Sequence, residues 1–188
     1  MSKVEKRAVV IAWGLLSALG STGLAQADPF SRAPGDYGTA VNGVLEKTGS
    51  DLRFNAKQCG DTPSSDPPSA WCLFSSIHVE VLVIGRDRQP SDVRIARIVL
   101  AADILKGHPA VQPHVIVTDA FTALTATMIV FDPDLPADRR SAMVSRLVAE
   151  VHRSGHGEDS GCAADYVIDL RQQASTLLVM KVIPKKVE

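Results

Sequence analysis

Apolar and polar positions alternate along this chain with two different periods, and the periods divide it into elements. In "DYGTAVNGVLEKTGSD" (36–51), Tyr37, Val41, Val44, Leu45 and Thr48 fall on one helical face. Asp36 stands where a cap belongs and Gly49 where a helix ends. "DLRFNA" (51–56) reads as a short strand leading to Cys59. In "CLFSSIHVEVLVIG" (72–85), Ile77, Val79, Val81 and Val83 alternate with Ser76, His78, Glu80 and Leu82, the period of a half-buried strand. "RDRQPSD" (86–92) is a turn.

The stretch "VRIARIVLAADILKG" (93–107) carries two signals. Its β-branched start predicts a strand over Val93 to Leu100, whereas Asp92, Gly107 and Pro109 would punctuate a helix. The strand is the reading adopted. Residues 108–118 form a loop with a brief extended piece, and "DAFTALTATMIVF" (119–131) predicts a helix capped by Thr118 or Asp119. The clearest helix is "PADRRSAMVSRLVAEVHR" (136–153). Asp134 is its expected cap, Pro136 suits its first turn, and Met143, Val144, Leu147, Val148 and Val151 form one stripe. "DYVIDLRQQASTLLVMKVIP" (165–184) reads as a hairpin turning at "QQAS". The order of helix, strands, helices and strands predicts one α+β domain with a mostly antiparallel sheet and helices packed on one face.

Ahead of this domain, Lys3, Lys6 and Arg7 precede an apolar block over 8–19 and an Ala25-Gln26-Ala27 cleavage pattern. Residues 1–27 are expected to be an export signal and 28–188 the mature domain. The apolar block is shorter than the ~20 residues of a bilayer span. No second spanning run is read further on, so no membrane insertion is expected after cleavage. The expected destination is the periplasm or the outside of a bacterial cell. Without the leader, 17 basic and 20 acidic residues remain, a net charge of −3. That balance argues against a nucleic-acid partner, which needs a basic footprint.

An oxidising destination changes what three cysteines mean. Cys59 and Cys72 bracket the Pro- and Ser-rich stretch 60–71, read as a loop, and are expected to form a structural disulfide across its base. A bridge from Cys162 to either of them is the alternative, because connectivity does not follow from spacing.

The densest polar chemistry lies in "VHRSGHGEDSGC" (151–162). His152 and His156 stand four apart, and Cys162 could join them around a metal ion. Against that, Gly155 would end the helix between them, and Arg153 sets a positive charge beside the site. A third reading makes Cys162 a hydrolytic nucleophile paired with one of those histidines, but no third catalytic group has a claim. The reading preferred is a polar loop, with His152 and Arg153 interacting with the helix C-terminus. His108 and His114 are taken as exposed loop residues, and His78 as the cross-strand partner of a neighbouring polar residue.

No nucleophile elbow, zinc-protease, P-loop or C-x-x-C motif occurs, and no cofactor is implied. The function expected is therefore binding: an accessory or interaction module whose partner is another envelope or extracellular protein. The contact surface expected is strand addition along an exposed "TLLVMKVIP" edge (176–184).

Overall fold

A computed structural model describes residues 28–62, 69–87, 93–104, 112–172 and 175–185. The leader read over 1–27 and His108 lie outside these residues. The chain enters through a 3₁₀ turn at Pro34–Asp36, then forms α1 (Tyr37–Lys47), β1 (Asn55–Thr62), β2 (Ser69–Ser75), β3 (Glu80–Asp87) and β4 (Val93–Asp103). Two helices follow, α2 (Pro113–Phe131) and α3 (Ala137–Ser154), and then β5 (His156–Ser160), β6 (Ala164–Gln172) and β7 (Thr176–Pro184). The seven strands make one antiparallel sheet in the order β1-β2-β3-β4-β7-β6-β5. Two meanders, β1–β4 and β5–β7, thus join along β4 and β7. Helices α2 and α3 carry the chain from the first meander to the far edge of the second.

The α+β domain with helices on one face is as the periodicity predicts, and Val93 to Leu100 lies in a strand. The core is the layer between sheet and helices. Its centre is Tyr37, whose ring packs against Phe54, Phe74 and Phe131 and whose hydroxyl shares a 2.9 Å hydrogen bond with Thr127 Oγ1. Cys59 and Cys72 are directly opposite each other on β1 and β2 and form the disulfide. Such a bond persists in an oxidising compartment.

Several boundaries differ from those expected. The segment 72–85 is two strands, reversed at Ser76–Val79, where the Ser76 N–H donates to the Val79 carbonyl. Ile77 therefore sits on a hairpin tip, 86% exposed. Within the stretch 60–71, residues 60–62 and 69–71 are strand, Gly60, Asp61 and Thr62 pairing with Trp71, Ala70 and Ser69, and 63–68 lie outside the described residues. Cross-strand pairing there outweighs the turn-forming composition. Leu52 and Phe54 are buried ahead of β1, with the Phe54 N–H donating to Asn42 Oδ1 and the Asn42 amide donating to the Phe54 carbonyl.

Helix α2 starts at Pro113, not Thr118, because proline supplies a helical φ and has no N–H to leave unsatisfied at that first position. It is thereby long and apolar enough, by length and composition, to cross a membrane, contrary to the expectation of no second such run. Its Ile116, Ala120, Leu124, Met128 and Phe131 are buried in the core. Neither Asp36 nor Asp134 caps a helix. Asp36 already has helical φ and ψ, continuing the 3₁₀ turn, and Pro136 holds the N-cap position of α3. Met143, Val144, Leu147 and Val151 are buried as the stripe predicts, while Val148 is 40% exposed at its margin.

Candidate functional site

The segment 151–162 is no loop. Helix α3 closes at Gly155, whose φ of 74° is the left-handed conformation that glycine adopts without penalty. His156 to Ser160 then form edge strand β5, pairing with β6 from Asp169 back to Asp165. Backbone pairing with β6 holds these polar residues extended although their composition favours turns.

The three residues considered for metal or nucleophile chemistry lie on three different elements. His152 is exposed in the last turn of α3, His156 is on β5, and Cys162 is exposed in the β5–β6 turn. Among the described residues, no three His, Cys, Asp or Glu side chains form a group able to hold a metal ion. His156 Nδ1 instead shares a 2.8 Å hydrogen bond with Asp169 Oδ1, directly across the strand pair. Lys181 Nζ donates to the other oxygen of Asp169 at 3.0 Å. The hydrogen bond from His156, and after it that from Lys181, holds the Asp169 carboxyl below its ordinary range.

The other histidines are also placed by tertiary structure. His78 lies in the β2–β3 turn, and its Nδ1 is 2.6 Å from Asp119 Oδ2 on α2, so its partner is helical and not cross-strand. His114 is exposed in the first turn of α2.

No local sequence pattern singles out Asp132, yet it is fully buried at the end of α2. Its carboxylate accepts the N–H of Cys162 at 3.0 Å, the N–H of Ala163 at 2.9 Å and the Tyr166 hydroxyl at 3.0 Å. Burial, with the adjacent Asp132 charge, pushes the Tyr166 hydroxyl well above its ordinary range. Three donors on one buried carboxylate fix the β5–β6 turn against the α2–α3 junction.

The expected "TLLVMKVIP" edge does not exist. Strand β7 is flanked by β4 and β6, so both rows of its backbone groups are paired. Strand addition there is ruled out because an added strand has no free edge to bond. The edges are β1 and β5. β5 is short and polar, and β1 is interrupted by an irregularity between Ala56 and Gln58.

What these registers do create is a second sheet face, turned away from the core cluster and, among the described residues, partly exposed. Cys72, Phe74, Val81, Val83, Ile98, Leu100, Met180 and Val182 point into the core. Their alternate neighbours point the other way, and register aligns them in rows. One row reads Leu73, Leu82, Val99, Lys181, Val167. A second reads Glu80, Ala101, Val179, Asp169, His156, and Trp71 stands opposite Ile84. None of the apolar members of these rows belongs to the core cluster or packs against it, although Val179 is only 9% exposed. Apolar side chains occupy this face on β2, β3 and β4, with Arg97 opposite Ile84 and Lys181 opposite Val99; Lys57 bonds Glu80 at 2.7 Å on one side, and Lys181 and His156 bond Asp169 on the other. No family model matches the chain, and no curated protein or solved structure matches it.

Proposed function

We propose that this protein is an exported binding module that acts by protein contact through the open face of its sheet. The observation that carries this reading is the pattern on β3, β4 and β7. "VLVI" (81–84) and "IVLAA" (98–102) are apolar at consecutive positions, as in strands covered on both faces. A sheet with one solvated face ordinarily alternates apolar and polar. Apolar side chains set among ion pairs on one sheet face fit the anatomy of a protein interface. The disulfide supports placing the partner in an oxidising, extracytoplasmic setting.

A photo-crosslinking residue at Leu82 tests the reading in the protein's native cells, with one at Ala149, exposed on α3, as the comparison. A protein adduct formed from position 82 and not from position 149 is the expected result. Absence of any adduct at 82 would overturn it.

A further inference from the structure

We propose that the Cys59–Cys72 disulfide is a reducible latch on edge strand β1, opened by an external thiol while the rest of the sheet stays folded. The proposal is independent of the sheet face read as an interface.

Access is the first argument. A disulfide is exchanged only where a thiolate can reach one of its sulfurs. Cys72 is 5% exposed on the core side of β2, but its cross-strand partner Cys59 is exposed. Both cysteines line a groove of about 320 Å³, walled by Pro34 and Gly35 of the 3₁₀ turn and by Asp61 and Trp71 of the strand pair. A water takes about 30 Å³, so the groove has room for a thiol-bearing side chain.

Consequence is the second argument. β1 is hydrogen-bonded to β2 alone, its ladder is irregular between Ala56 and Gln58, and none of residues 55–61 belongs to the core. Strand pairing without a buried face is marginal in water. The covalent bond to Cys72 therefore decides whether β1 stays in place. The sheet's core side chains stand on the other strands and keep their packing without it.

The chemistry needs a thiol as its only co-reactant. An external thiolate attacks Cys59 Sγ and forms a mixed disulfide. The Sγ–Sγ bond breaks with its electron pair going to Cys72, which takes a proton from solvent. A second thiolate attacks the external sulfur of the mixed disulfide and releases Cys59, which is protonated in turn. The protein gains two electrons and two protons, and two thiols become one disulfide.

Two residues make the step readable. Trp71 lies over β1: a Cβ added at Gly60 would stand 3.1 Å from its ring, so departure of β1 changes its surroundings. Among the described residues lining the groove, Asp61 is the charged one, and its carboxylate opposes the approach of an anionic thiol.

The test treats the disulfide-bonded protein, without denaturant, with dithiothreitol or glutathione. Alkylation and mass measurement count the free cysteines, one at the start (Cys162) and three after reduction. The expected rate is proportional to thiol and flat in sub-denaturing urea. Trp71 emission should move to longer wavelength and return on reoxidation. Asp61→Lys should raise the glutathione rate at least ~3-fold relative to the dithiothreitol rate, because only glutathione carries carboxylates. A rate that climbs with urea in step with global unfolding would place the exchange in the unfolded chain and overturn the proposal. Full reduction with an unshifted Trp71 emission, or an unaltered rate ratio in Asp61→Lys, overturns it as well.

Discussion

Tyr166 on β6 donates its hydroxyl to the buried carboxylate of Asp132, 3.0 Å away and 34 residues earlier in the chain. The same carboxylate accepts the N–H groups of Cys162 and Ala163. This one side chain therefore ties the end of α2 to the turn that starts the final strand pair. Removing it leaves one buried donor and two part-buried ones without their acceptor. Asp132→Ala is expected to cost about 3 kcal/mol, the upper end of the range for hydrogen bonds to a charged group. Tyr166→Phe removes only one donor and is expected to cost about 1.5 kcal/mol. Urea unfolding of both variants checks the ratio; equal losses would contradict the shared-carboxylate account.

Gly161 sits against that node. A Cβ there would collide with Asp132 Oδ2 and lie 2.9 Å from Tyr166 Cε2. Gly161→Ala is expected to destabilise by about 2–3 kcal/mol through overpacking. Combined with Asp132→Ala it should cost less than the two single losses added, because the oxygen it strikes is gone. A double-mutant cycle showing strict additivity would rule out this cause.

The Asp169 cluster gives a pH prediction. The carboxyl is held below its ordinary range first by the hydrogen bond from His156 and then by Lys181. A depressed folded pKa means that this contribution to stability is fully present above the unfolded value, near pH 4. It fades as pH falls through the folded value. In an NMR titration, the Asp169 carboxyl should therefore titrate below the ordinary aspartate range. His156→Ala and Lys181→Met should each move it back upward, and His156→Ala by the larger amount. An unmoved titration in both variants would show that the bonds seen across β5, β6 and β7 do not persist in solution.

The disulfide closes a separation of 13 residues between two paired strands. Replacing both cysteines by serine is expected to lower stability by about 3 kcal/mol on the chain-entropy account. Because β1 pairs with β2 alone, hydrogen exchange should accelerate first in residues 55–62. Uniform acceleration across the sheet would mean that β1 does not open independently.

At the end of α3, Gly155→Ala places a Cβ in a left-handed conformation, with φ of 74°. A loss of about 1 kcal/mol is expected in thermal or urea unfolding. No loss would indicate that the helix ends differently in solution.

The sequence by itself determined the features that neighbours along the chain dictate. Met143, Leu147 and Val151 recur at helical spacing, Gly155 stops that helix, and Tyr166 and Ile168 alternate with polar or half-buried neighbours. These patterns are local, since a helix turn or a strand's two faces involve only residues a few positions apart. The lateral order of the strands is not local. β7 reads like the last strand of a hairpin, and only its pairing with β4 puts it inside the sheet. β5 has turn-like composition and becomes a strand because β6 supplies its hydrogen bonds. The reversal at Ile77 and His78 hides within an apolar run because its anchor, Asp119, comes 41 residues later. Asp132 carries no local signal, and only the return of Cys162, Ala163 and Tyr166 makes it a buried hub. The open face is the plainest case. Side-chain alternation shows that two apolar faces exist on β3 and β4, but only the tertiary structure decided which one the helices cover.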